Sequence, residues 1–202
     1  MEARTISFDR SGIVEAARIV KGGGLIVYPT DTVYGLGADP TNGEAVSRLF
    51  ATKKRHAKPI PILCDCLKSA LVLAGLNKSA MRLAKKYWPG ALTIVAPLKA
   101  ELPYAIHQGS GTVGVRVPGP ELCTRLVKLC GGYLTGTSAN ISGRSACRSA
   151  IEARAELGRA VELILDGGRI EGAASTVVKV TNKGIEVLRE GPVRVNEKEA
   201  TG

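Results

Sequence analysis

Short apolar, β-branched runs alternate with segments of helical period along almost the whole chain, and no other feature limits the fold as strongly. Leu25-Ile26-Val27 reads as a buried strand, being short, β-branched and bounded by glycines, and Pro29 marks its end because proline brings no backbone donor. Further strands are expected at Ile60 to Leu63, Ala91 to Ala96, Thr112 to Val117, Tyr133 to Thr135, Val161 to Leu165, Ser175 to Val180 and Ile185 to Arg189. Between them, Ile13, Ala16, Ala17 and Val20 share one face of a helix capped by Ser11 and ended by Gly22. Thr41 and Glu44 have capping-box spacing ahead of Val46, Leu49 and Phe50. Leu67 to Ala74, Ser79 to Trp88, Glu121 to Leu129 and Ser149 to Leu157 are also helical. The last two strands flank Thr181-Asn182-Lys183-Gly184, which reads as a hairpin and argues against an all-parallel sheet. The pattern predicts an α/β fold: a single domain over residues 1–202, with a core from about 12 to 192, built as a twisted, open, mixed sheet flanked by helices.

Twenty-eight basic against eighteen acidic residues leave a net charge of +10, which favours anionic partners such as nucleotides or RNA. Aromatics make up only 4% of the chain, too few for a stacking path along single-stranded nucleic acid. Without a signal peptide or an apolar run near 18 residues, the expected location is the cytoplasm. Cys64, Cys66, Cys123, Cys130 and Cys147 form an odd, scattered set rather than a disulfide framework. Cys64 and Cys66 would share one face of a strand, yet they lack the second pair or histidines of a zinc site, and no metal-ligand set is expected.

Three stretches carry candidate chemistry. Tyr28-Pro29-Thr30-Asp31-Thr32-Val33-Tyr34-Gly35-Leu36-Gly37 places hydroxyls and a carboxylate just past a strand end, where open α/β sheets offer groups to a ligand. Composition alone equally allows a Ser/Thr turn there. Lys53, Arg55 and Lys58 lie within six residues; arginine's planar fork and lysine's point charge together suit a triphosphate, whereas a solvated charge run is the plain alternative. Gly136-Thr137-Ser138-Ala139-Asn140-Ile141-Ser142-Gly143 follows another strand and suits a phosphate- or ribose-binding turn. It half matches the nucleophile elbow of serine hydrolases, but only His56 and His107 could serve as base, the first in the basic run and the second in an apparent loop. Gly109-Ser110-Gly111-Thr112-Val113-Gly114 matches a dinucleotide fingerprint in letters, but precedes a strand instead of joining strand to helix. Arg116 on an apolar strand is costly unless paired, so it is either a structural ion-pair partner or a carboxylate binder.

Taken in order, Pro29-Thr30-Asp31-Thr32-Val33-Tyr34-Gly35-Leu36-Gly37, Lys53-x-Arg55, Pro89-Gly90-x-Leu92-Thr93, Val115-Arg116-Val117-Pro118, Thr137 to Gly143, Asp166-Gly167-Gly168, Ser175-Thr176-Val177 and Leu188-Arg189-x-Gly191 resemble the YrdC-type threonylcarbamoyl-adenylate synthases. The resemblance implies a basic concave cleft and conversion of L-threonine, bicarbonate and ATP to threonylcarbamoyl-AMP and pyrophosphate, with Mg²⁺ accompanying the nucleotide. A separate transferase would then use the product to modify tRNA. Lys53, Arg55, Lys58, Thr112, Ser138, Asn140 and Arg189 fall where the family holds ATP, with Lys53 and Arg55 as the expected catalytic cations. Thr32, Arg116 and Ser175 fall where it holds threonine. His56 stands where the family usually has proline, the segment after it is one residue shorter than in many members, and Ala91 replaces a common proline. The short, single-domain form is expected, without the extra C-terminal domain of long members. Two other readings remain: a module of the same fold binding tRNA or double-stranded RNA without catalysis, and a relative making another carbamoyl adenylate.

Overall fold

A computed structural model of the chain describes residues 2–54, 58–181 and 184–196. The elements follow in the order β1 (Arg4–Ser7), α1 (Arg10–Lys21), β2 (Ile26–Tyr28), β3 (Gly35–Gly37), α2 (Gly43–Thr52), β4 (Ile62–Cys64), α3 (Leu67–Leu73), α4 (Lys78–Tyr87) and β5 (Leu92–Pro97). Then come α5 (Tyr104–His107), β6 (Thr112–Arg116), α6 (Glu121–Leu129), β7 (Tyr133–Thr135), β8 (Thr137–Ser138), α7 (Ala150–Leu157), β9 (Leu163–Asp166), β10 (Thr176–Thr181) and β11 (Gly184–Arg189). The fold is mixed α/β with open, helix-flanked sheets, as expected, but the strands divide between two sheets. One has the order β1-β9-β2-β3-β8 and the other β11-β10-β5-β6-β4-β7, and both mix parallel and antiparallel pairs. The expected terminal hairpin is present as the antiparallel β10–β11 pair.

Helix starts differ from the sequence reading for a definite reason. Asp9, not Ser11, caps α1, accepting from the amides of Ser11 and Gly12, and the Ser11 hydroxyl itself donates to Asp9. At α2 the cap is Asn42, because the amide and hydroxyl of Thr41 are already committed to Asp39. In both cases the carbonyl-type acceptor of Asp or Asn takes the amides that a hydroxyl could have taken. Cys66 lies outside β4, at the start of α3, so it does not share a strand face with Cys64. His107 ends the short α5 rather than lying in a loop.

The two sheets are joined through Thr135 and Gly136. Tyr28 donates its hydroxyl to Thr135 O at 2.8 Å, reaching it across β3. That path exists because β3 is Gly-Leu-Gly: a Cβ on Gly35 would stand 2.8 Å from Tyr28 Cζ, and one on Gly37 3.0 Å from Tyr28 Cε1. The glycines closing the first candidate stretch are therefore architectural. Gly136 then carries the chain directly from β7 of one sheet to β8 of the other, its amide donating to Pro61 O at 2.7 Å.

Apolar layers decide which surface is left for function. α1 and α6 pack Ile13, Val20, Leu126 and Val127 against Leu163 and Leu165 on one side of the first sheet. α4 packs Leu83 and Ala84 against Leu92, Ile94, Val178 and Val180 of the second. Strand alternation turns Thr93, Val95, Val177 and Lys179 to the opposite face, which floors a cavity. No helix among the described residues is long and apolar enough to cross a membrane.

Two measurements test this packing. Gly35→Ala should destabilise the fold by about 1–3 kcal/mol in urea titration, since the methyl meets the buried Tyr28 ring. All five cysteines are free thiols, and Cys66 is the exposed one; burial pushes Cys123 and Cys130 up to about 12 and Cys147 up to about 11. A disulfide reagent at neutral pH should therefore modify one thiol rapidly, and the other four only on unfolding.

Candidate active site

The stretch after β2 satisfies both readings at once. Thr30 Oγ1 accepts from the amides of Thr32 and Val33 at 3.0 and 3.2 Å and lies 2.7 Å from Val33 O, forming a compact Ser/Thr turn. This turn presents Thr32 and Val33 to the cavity, while Asp31 turns to Arg116. Tyr34, next in line, is fully buried; its hydroxyl bonds Gly168 O at 2.7 Å and accepts from the Gly167 amide at 3.1 Å, tying the turn to the loop after β9.

The cavity has a volume of about 450 Å³. Its walls bring together six of the predicted residues: Thr32, Thr112, Arg116, Ser138, Ser175 and Arg189. Ser175 is the most tightly defined. Its hydroxyl is 2.9 Å from Thr93 Oγ1 and accepts from Arg189 at 3.0 Å, while its carbonyl accepts from Arg189 Nε at 2.9 Å. Arg189 is brought there by Gly191, where a Cβ would stand 2.3 Å from the Thr176 amide nitrogen, so the chain after β11 lies directly on residues 174–176. Desolvation at the wall, followed by the nearby Arg116 cation, lowers the Arg189 pKa. Two guanidinium groups held near one another favour an anion between them.

Arg116 is an ion-pair partner in this structure. It bonds Asp31 through one terminal nitrogen and Thr32 Oγ1 through the other at 3.1 Å, and Nε donates to Gly90 O at 2.8 Å. A guanidinium carries five N–H donors, so two remain for a ligand.

Other predicted residues lie outside the cavity wall. Lys53 is 1% exposed, and its ammonium donates to Ser138 O and, at 2.8 Å, to Asn140 O. Asn140 is buried too, its amide donating to the carbonyls of Ile141 and Arg144, and its side-chain oxygen meeting the Ser138 hydroxyl. Lys53 and Asn140 thus stand behind Ser138 and shape the loop that carries it. Lys58 is exposed beside the lining residue Pro59. Arg55 and His56 lie outside the described residues. Ser138 bonds Asn140 rather than a histidine, and His107 Nδ1 accepts from the Gly109 amide, so no serine-hydrolase triad forms among the described residues.

Sequence reasoning missed Thr93, Lys179 and Glu186, which also line the cavity. Their signal was the period-two pattern: Thr93 and Lys179 alternate with buried Leu92, Ile94, Val178 and Val180, and Glu186 is the register partner of Lys179. Among the described residues no group of three or more His, Cys, Asp or Glu side chains could hold a metal ion.

An open-sheet α/β protein whose cleft gathers guanidinium and hydroxyl groups from distant segments is a class with known members. The chain belongs to the Sua5/YciO/YrdC family, whose model, described as "Telomere recombination", matches residues 18–191. A protein of Pyrococcus abyssi named threonylcarbamoyl-AMP synthase is 37% identical over 185 residues, covering 90% of this chain and 54% of its own, so the chain spans about half of that relative's length. The structure of P. abyssi Sua5 complexed with L-threonine superposes with a TM-score of 0.87 at 35% identity, covering 94% of this chain and 57% of that one. The crystal structure of Escherichia coli YciO gives a TM-score of 0.86 at 27% identity, with 94% and 96% covered.

The placement of Lys53 makes a prediction that separates structure from binding. Lys53→Met leaves two carbonyls without their donor, and denaturant unfolding should show a loss of about 1–3 kcal/mol. A lysine serving only a nucleotide would leave stability unchanged.

Proposed function

We propose that this chain is an L-threonylcarbamoyladenylate synthase, an enzyme that condenses L-threonine, bicarbonate and ATP to threonylcarbamoyl-AMP and pyrophosphate. The observation that carries this reading is the convergence of Thr32, Arg116 and Ser175, from three separate segments, beside Arg189 on one wall of the cavity. Arg116 offers its two remaining N–H bonds to the threonine carboxylate, and Thr32 and Ser175 offer hydroxyls to its polar groups. The described lining carries three cations, Arg116, Lys179 and Arg189, against one carboxylate, Glu186, which suits a basic cleft for a polyanion.

The threonine amine, once deprotonated, attacks bicarbonate; water leaves and an N-carboxylate remains. A carboxylate oxygen then attacks the α-phosphorus, and the bond to pyrophosphate breaks. Reactions of this kind are promoted mainly by positioning and by charge on the phosphates, and need no covalent nucleophile. Arg189, Thr112 and Ser138 stand where they can hold the nucleotide, with Lys53 and Asn140 setting the Ser138 loop and Lys58 at the rim; Arg55 is assigned from the family motif. A bound Mg²⁺ would offset part of the triphosphate charge, and Glu186 is the one carboxylate on the described lining that could face it. The family resemblance supports a cytoplasmic enzyme that passes its product to a separate tRNA-modifying transferase.

Pyrophosphate release from ATP and bicarbonate tests the proposal. Release should require L-threonine, with serine and glycine far poorer, and should fall about 100-fold or more in Arg189→Ala. Equal release with another amine would redirect the reading to a different carbamoyl adenylate. No release with any amine, together with tight, salt-sensitive binding of double-stranded RNA, would replace it by the RNA-binding module.

A further inference from the structure

Asp31 is held more closely than charge neutralisation requires. Its carboxylate pairs with Arg116, and the two side chains are 21% and 6% exposed. A Cβ on Gly119 would stand 3.1 Å from Asp31 Oδ2, and a Cβ on Gly172 would stand 3.0 Å from Asp31 O and 2.5 Å from Thr32 O. Two loops distant in sequence have therefore closed to glycine distance on one dipeptide. The residue they hold fixes one end of a guanidinium whose other contacts are Thr32 Oγ1 and Gly90 O.

We infer that Asp31 is a positioning residue of the amino-acid site, holding the Arg116 guanidinium in the orientation that leaves one N–H on each terminal nitrogen for a substrate carboxylate. A guanidinium released from Asp31 tilts more freely about the side-chain torsions that carry it and presents its planar fork to the carboxylate only part of the time. Asp31 also offsets the Arg116 charge beside Arg189, which eases the repulsion between the two guanidinium groups. The inference rests on the reading of Arg116 as the carboxylate binder in the proposed reaction, but the locking of the guanidinium can be measured without substrate.

The test compares wild type, Asp31→Asn and Gly119→Ala by steady-state pyrophosphate release and by the solvent exchange of the ¹⁵N-labelled Arg116 Nε–H. Asp31→Asn keeps the shape and removes the charge. It should raise the KM for L-threonine about tenfold or more, leave kcat and the KM for ATP within about twofold, and speed Nε–H exchange. Gly119→Ala keeps both charges and presses a methyl on Oδ2, so it should raise the threonine KM in the same direction by a smaller factor; it carries the comparison if Asp31→Asn does not fold. An unchanged threonine KM, or a fall in kcat alone, overturns the inference. If wild type shows no threonine-dependent release, the proposed function fails by itself. The Nε–H signal still decides the inference, which is overturned if exchange in Asp31→Asn matches wild type.

Discussion

Every polar group of Thr135 is spent on joining the two sheets. Its amide donates to Ala38 O at 3.0 Å, its carbonyl accepts from Tyr28, and its hydroxyl accepts from the Ala38 amide and donates to Leu36 O, each at 2.9 Å. All of this happens at zero exposure, where an unpaired group would cost about 1–3 kcal/mol. Only one residue, Gly136, then separates β7 from β8, and that step takes the chain out of the sheet that floors the cavity and sets Thr137 and Ser138, now in the other sheet, on its wall. Tyr28, the Gly-Leu-Gly of β3 and the Ser138 loop thus form a single mechanical unit with the site at its edge.

The electrostatics of the cavity follow the same economy. Two guanidinium groups would repel one another in the open, yet each is tied to a fixed partner: Arg116 to Asp31, and Arg189 to the carbonyl and hydroxyl of Ser175. Lys53, the most buried cation among the described residues, donates to backbone carbonyls and does not line the cavity. The groups left to meet a ligand are therefore few and rigidly placed, the condition under which positioning contributes most to rate.

Much of this was legible in the sequence, in proportion to the length of each signal. Apolar strands bounded by turn residues and the helices between them were readable by period, and so was the terminal hairpin; β1, with the single apolar residue Ile6, was not. β8, with two residues, and β3, with two glycines, carry no strand signal, so the division into two sheets was hidden. Thr32, Arg116, Ser138, Ser175 and Arg189 could be placed by motif and do converge, because their neighbours Pro, Gly and Thr are the residues that shape the turns. The burial of Lys53 was not legible: a lysine in a basic run looks solvated or ligand-facing, and nothing local reveals the two carbonyls some 85 residues onward that take its ammonium. Thr93, Lys179 and Glu186 required knowing which face of the sheet the helices leave open.

The wall that would grip the amino acid draws on Thr32, Thr93, Arg116, Ser175 and Arg189, and Arg189 needs Gly191 to reach its place. During synthesis the chain emerges from its N-terminal end, and non-local pairings form only when both partners are available. β10 slots between β5 and β11 and supplies Ser175 at its mouth, so a nascent chain can build the first helices and the Thr30 turn long before it owns a binding wall. The proposed wall is therefore complete only once β10 and β11 are made, and a chain cut short of them carries the Thr30 turn without Ser175 and Arg189.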